Sequence, residues 1–217
     1  MKKIEVKRLN IQQVKAEEIP SLFKTFDVEY HKIDTVDWPE EYPYCPKVEF
    51  GIAHKDNAIM IHYRVNEDSV RAEAGEDLGH VWEDSCCEFF VSPDEKEGYY
   101  NIETNCIGTV LLCSGKSREN RTPAPTAILQ AIDRWTTLGR KPFGIRNEPQ
   151  TWELAIVVPV DSFFKHKLTE LSNKSMRANF YKCGDKTKRA HFLSWNPIDI
   201  AKPDFHRPDF FGEITFL

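Results

Sequence analysis

Apolar and polar residues alternate with a period of two through much of this chain. Ile59, Ile61, Tyr63 and Val65 are separated by Met60, His62 and Arg64, the pattern of a half-buried strand. Val48-Glu49-Phe50-Gly51-Ile52-Ala53 alternates as well, and His54-Lys55-Asp56-Asn57 between the two segments signals a hairpin. Further strands are predicted at Ser85–Val91, Tyr99–Cys106, Thr109–Cys113, Thr151–Val158, Ser175–Cys183, His191–Trp195 and Gly212–Phe216. Roughly nine short strands broken by Pro, Gly, Asn and Asp turns predict an all-β fold. An antiparallel β-sandwich of immunoglobulin or jelly-roll type is the architecture they imply.

Helical signals are brief. Pro20-Ser21-Leu22-Phe23-Lys24 offers proline at a first turn. Ile128, Ile132 and Trp135 stand at i, i+4 and i+7, which predicts one short amphipathic helix over Ala127–Trp135. Val160–Phe164, after Pro159, predicts a single further turn. Gly115–Pro125 is polar, basic and proline-containing, and is the segment most expected to move. With no repeat, low-complexity tract or linker, residues 1–217 are expected to form one domain, with 1–44 as an extension packed on the sandwich.

Composition narrows the function classes. A hydrophobic share of 41% with 12% aromatics supports a packed core rather than disorder. A net charge of −5 opposes a nucleic-acid or anionic-membrane surface, and no apolar run approaches the ~20 residues of a membrane span. Met1-Lys2-Lys3-Ile4-Glu5-Val6-Lys7 has no apolar stretch behind its lysines. As written the chain is therefore expected in the cytoplasm, although an exported protein with its leader removed would look the same. Six cysteines (Cys45, Cys86, Cys87, Cys106, Cys113 and Cys183) form no C-x-x-C pair, so no zinc finger or other metal site is expected. Cys86 and Cys87 point to opposite faces of one strand and cannot readily share a bridge. All six are read as reduced thiols acting as small core residues.

Two segments carry the candidate chemistry. In Trp82-Glu83-Asp84-Ser85-Cys86-Cys87-Glu88-Phe89-Phe90, parity puts Cys87, Phe89 and Val91 on one face and Cys86, Glu88 and Phe90 on the other. Glu88 among apolar neighbours either accepts hydroxyls of a ligand or pairs with a buried arginine. Along Tyr100–Cys106, Asn101, Glu103 and Asn105 share one face, which suits hydroxyl recognition or an ordinary solvated surface. Phe205-His206-Arg207-Pro208-Asp209-Phe210-Phe211-Gly212 places a second ring in a loop. Two rings with carboxylates and amides between them suit a sugar, whose C–H faces stack on aromatics while its hydroxyls hydrogen-bond. Arg118 and Arg121, with Lys116, either clamp an anionic group such as a uronate or sulfate or form a solvated basic loop. His206 reads as a loop brace, and Trp152, alternating with Leu154 and Ile156, as core.

The Trp82–Phe90 segment, Asn179-Phe180-Tyr181, Ser194-Trp195 and the closing Phe205–Gly212 segment together resemble the family 9 carbohydrate-binding modules, in order and spacing, over roughly residues 45–217. Within that family the chain resembles the family 9-like proteins common in gut bacteria. The resemblance implies a β-sandwich that holds a mono- or disaccharide between two rings, here Trp82 and Phe205. It places the neighbouring carboxylate at Glu88, the polar pair of the next strand at Asn101 and Glu103, and a later amide position at Tyr181. Three positions depart from the family pattern: Asn101 replaces an arginine, Tyr181 an amide and Phe205 a tryptophan. The family also implies structural calcium, for which no acidic loop of this sequence is a good match.

The expected function is thus non-catalytic carbohydrate binding, in carbohydrate catabolism, with no cofactor. A glycoside hydrolase using Glu88 and Glu103 is a rival, since adjacent strands allow the ~5–9 Å separation that such chemistry needs. A decayed module serving a protein partner is a third reading.

Overall fold

All nine predicted strands form, and among the described residues seven more join them. The computed structural model describes residues 1–94 and 96–217. In chain order the strands are β1 (Lys3–Arg8), β2 (Tyr30–Lys32), β3 (Thr35–Val36), β4 (Lys47–His54), β5 (Ala58–Glu67), β6 (Val70–Ala72), β7 (Cys86–Asp94) and β8 (Gly98–Asn105). They continue as β9 (Val110–Gly115), β10 (Thr122–Pro123), β11 (Asp133–Thr136), β12 (Phe143–Arg146), β13 (Gln150–Pro159), β14 (Ser175–Cys183), β15 (Phe192–Ser194) and β16 (Gly212–Phe216). Among the described residues the two α-helices are α1 (Ile19–Thr25) and α2 (Thr126–Ala131). One sheet runs β10-β9-β8-β7-β14-β16-β1 and the other β1-β4-β5-β13-β11, the two layers of a β-sandwich.

β1 belongs to both layers. Lys3–Val6 pairs with Glu213–Phe216 of β16, and Lys7–Arg8 pairs with Ala53–His54 of β4, parallel in each case. β2 pairs with β4 and β3 with β15. Residues 1–44 are therefore woven into the sandwich rather than laid on it. The local pattern of β1 offers just two apolar residues, Ile4 and Val6, and its partners are distant in sequence, so nothing near it in the chain announces the pairing.

The helix expected over Ala127–Trp135 stops at Ala131. Ile132 is extended, and Asp133–Thr136 pairs with Val157–Leu154 of β13 as an edge strand. An isolated helix this short is marginal in water, and a free sheet edge offers a full ladder of backbone hydrogen bonds. The turn predicted at Val160–Phe164 forms as one 3-10 turn over Val160–Ser162.

Aromatic stacking joins the layers. Phe180 of β14 stacks on Phe50 of β4 with centroids 3.7 Å apart and on Phe89 of β7 at 4.9 Å. Trp195 meets Phe50 and Phe180 edge-on at 6.2 and 5.9 Å. Outside the second layer, Ile19 and Phe23 of α1 cover Ala53, Met60, Ala155 and Val157. Outside the first, the segment 196–211 lays Ile198, Phe205 and Phe211 with Trp38 over Cys86, Phe90, Tyr99, Tyr181 and Cys183. Gly212 makes that crossing possible, because a Cβ there would lie 2.4 Å from Trp195 Cζ3 and 2.8 Å from the Lys2 carbonyl oxygen. Among the described residues no helix is long and apolar enough to cross a membrane.

All six cysteines are unpaired, but they are not uniformly core. Cys86, Cys87, Cys106 and Cys183 are buried, Cys113 is half-buried and Cys45 is exposed. Cys45 should accordingly react with a thiol reagent in the native protein, and Cys87 and Cys106, buried in the central core, only after unfolding. A denatured, unreduced sample should titrate six thiols; a lower count would reveal disulfides and refute this arrangement.

Candidate functional site

The outer face of β7, β8 and β14 carries polar residues that are shielded from solvent. Glu88 and Glu103 are direct cross-strand partners, as are Glu88 and Tyr181 and, nearer the strand ends, Cys86 and Cys183. The parity expected from the sequence holds: Cys87, Phe89 and Ile102 face the central core, and Cys86, Phe90 and Tyr181 face outward. The face of Asn101, Glu103 and Asn105 is not solvated, for all three are buried.

Two anchored loops wall this face. The loop before β7 turns on Asp84, whose carboxylate accepts Arg71 Nη1 at 2.6 Å, the Glu73 and Ala74 amides, and Asn105 Nδ2. Four donors saturate that buried carboxylate and fix the single 3-10 turn Val81–Glu83 that presents Trp82. The Trp82 ring is half-buried and stacks on His80 with centroids 4.5 Å apart. The opposite wall is the segment 196–211. Asn179 pins its start, accepting from the Asn196 amide at 2.8 Å and donating to the Asn196 carbonyl at 2.8 Å. Trp38 Nε1 donates to the Ile200 carbonyl at 2.8 Å.

Between these walls lies an open cleft of about 520 Å³. Trp82, Phe205, Glu88, Glu103, Arg118 and Arg121 all line it, so six of the eight sequence candidates converge. Two do not. Tyr181 is wholly buried behind Phe205: their rings stack at 4.2 Å and 6°, and the phenol donates to the Phe205 carbonyl at 3.2 Å. It supports the ring rather than replacing an amide contact. Asn101 is likewise buried, and its Nδ2 donates to Glu103 Oε1 at 2.9 Å, so it steadies a carboxylate. Sequence parity could place both residues on this face, but not behind the lining.

The cleft has further members. Asp185, Asp204, His206, Phe192 and Cys183 line it too. Cys183 and Asp185 flank Gly184 just past β14, a turn that pattern alone gave no reason to select. His206, read as a brace, does brace, with Nδ1 2.8 Å from the Tyr99 hydroxyl, yet it also faces the cleft. Burial, and then Arg121, depress its pKa to about 3, so the ring is neutral.

Among the described residues no arginine forms an ion pair with Glu88. Its Oε1 accepts from the Cys183 thiol at 3.0 Å. Burial first, and the facing Glu103 second, push its carboxyl well above the usual range. Burial also raises Glu103, to about 7, against hydrogen bonding from Asn101 and the Arg121 guanidinium 3.8 Å away. Asp185 rises to about 6, chiefly by burial. The floor therefore sets a carboxyl whose proton is held more tightly than usual beside one that is partly ionised at neutral pH, and a carboxyl that keeps its proton both donates and accepts. Such groups suit hydroxyl-rich ligands, which both donate and accept.

The family model for carbohydrate-binding family 9 matches residues 17–216. The chain belongs to carbohydrate-binding family 9. A crystal structure of a Bacteroides uniformis protein described as a candidate carbohydrate binder is 45% identical, with a TM-score of 0.97 over 100% of this chain and 99% of that one. Family 9 modules from Caldicellulosiruptor kristjanssonii share the fold at low identity. The one in complex with glucose is 13% identical with TM-score 0.62, over 100% of this chain and 96% of its own. The one in complex with cellotriose is 14% identical with TM-score 0.62, over 99% and 93%. No curated protein matches the sequence.

Structural calcium is the ion that the family resemblance implies. Among the described residues, the group of three His, Cys, Asp or Glu side chains with ligand atoms within 4.8 Å of one another is Cys86, Glu88 and Cys183. Two sulfurs and one carboxylate do not fit a cation that takes six to eight oxygens.

The raised Glu103 pKa has a consequence for stability. Its folded value, about 7, lies above its ordinary 4.5, so the native state holds the proton more tightly. The stability this carboxyl contributes is complete at lower pH and is lost as pH rises through about 7. Glu103→Gln should therefore gain stability over the parent chain between about pH 5 and about pH 8, measured by ligand-free urea denaturation. A difference that stays flat or shrinks over that interval would refute the assignment.

Proposed function

We propose that the cleft binds a mono- or oligosaccharide without transforming it, with Trp82 and Phe205 stacking on the sugar and Glu88 and Glu103 bonding its hydroxyls. The observation that carries this reading is their convergence in one cleft of about 520 Å³, within the range of small-molecule sites. Tyr181 backs the Phe205 ring and His80 backs Trp82, so both aromatic walls are preorganised. The glucose and cellotriose held by the Caldicellulosiruptor kristjanssonii modules support a neutral sugar as the ligand class. Six free thiols support residence in a reducing compartment.

Hydrolysis is disfavoured by placement. Its two carboxyls must flank the scissile bond. Glu88 and Glu103 instead sit side by side on one sheet face as register partners, where Cβ atoms lie about 4.5–5.5 Å apart, and they meet a ligand from the same side.

Calorimetric titration with glucose, cellotriose and a panel of other oligosaccharides tests the reading. Trp82→Ala should lose about 1–3 kcal/mol of binding while its urea midpoint stays near that of the parent. An unfolded variant would show Trp82 to be core instead. Incubation of the full chain with its best-bound oligosaccharide should release no new reducing ends. Release that vanishes in both Glu88→Gln and Glu103→Gln would replace the binder with a hydrolase.

A further inference from the structure

We propose that Cys86, Cys183 and Glu88 form a site for one borderline-soft divalent cation, zinc foremost, in the floor of the cleft. The pairing of β7 with β14 sets Cys86 directly opposite Cys183. Glu88, two residues beyond Cys86, projects from the same face. The Cys183 Sγ to Glu88 Oε1 distance is 3.0 Å, and all three ligand atoms lie within 4.8 Å of one another. Tetrahedral zinc, with about 2.3 Å to sulfur and about 2.0–2.2 Å to oxygen, sets its ligand atoms roughly 3.5–3.8 Å apart. The three side chains are thus already gathered at nearly that spacing, on rigid strands rather than on loops.

The donor set selects the ion. Two thiolates and one carboxylate favour zinc over magnesium or calcium. The cation would neutralise a buried group of acids whose neighbour Lys182 is turned to the opposite sheet face, where its Nζ lies 3.0 Å from Glu67 Oε2. Burial raises both thiols, so without metal the cluster stays protonated and inert. Binding must displace the two thiol protons, and the Glu88 proton where it is present, to solvent.

Access comes from one side. Cys86 is wholly buried, while Glu88 and Cys183 line the cleft. Three protein ligands beneath an open cleft leave the fourth position to water or to a ligand atom. The assignment stands whether or not that ligand is a sugar.

Cobalt(II) titration of the full, reduced chain tests the site. One equivalent should generate thiolate-to-cobalt absorption in the near ultraviolet and intense visible bands of four-coordinate cobalt, both removed by added zinc. Cys86→Ser and Cys183→Ser should abolish the signal, Glu88→Gln should weaken it, and Cys45→Ser and Cys113→Ser should leave it intact. A second measurement needs no variant: zinc added to the unsubstituted chain in weak buffer should release about two to three protons per ion bound. A missing charge-transfer band, a band that survives both Cys86→Ser and Cys183→Ser, or zinc uptake without proton release would overturn the proposal.

Discussion

Burial of β7, β8 and β14 on both faces is the constraint on which the rest of the structure depends. Their inner faces carry Phe89 and Phe180, which stack with Phe50 of the opposite layer. Their outer faces would be the solvated side of an ordinary sandwich, but the segment 196–211 covers them with Phe205 and Phe211. A sheet half-open to water could carry Glu88 and Glu103 as ordinary surface acids. Under that cover each loses solvation, and burial becomes the largest influence on both pKa values. The unusual chemistry of the floor therefore follows from packing, not from a special local sequence.

The same cover has to be held in place, and polar side chains do this. Asp84 organises one wall by accepting four hydrogen bonds, and Asn179 organises the other by pairing with both backbone groups of Asn196. Neither lines the cleft, yet each orients a ring that does. Tyr181 does similar work from behind Phe205. The two sequence candidates that do not reach the cleft, Tyr181 and Asn101, thus belong to the layer that positions its lining. Their departure from the family pattern alters how the rings and carboxylates are supported more than what a ligand touches directly.

Much of the fold and part of the site were legible in advance, for definite reasons. The period-two alternation marked nine strands because each has one face toward the central core, where a polar residue would be costly to bury. Parity then placed Glu88 with Cys86 and Phe90, and Glu103 with Asn101. Strands whose pairing depends on distant partners escaped notice. β1 has two buried residues and partners some fifty and two hundred positions away, and β11 was masked by helical spacing until β13 supplied an edge.

By itself, the sequence determined the fold class, the identity of the strands that frame the cleft and the faces from which their side chains project. Those follow from local periodicity, which any segment expresses without reference to the rest of the chain. Tertiary structure alone decided which of those outward residues are exposed, which lie behind others, and which acids share a floor with Cys183 and His206. Depth is set by what crosses above a strand, and here that is a loop more than one hundred residues further along, passing over β7 and β8 because Gly212 leaves room beside Trp195.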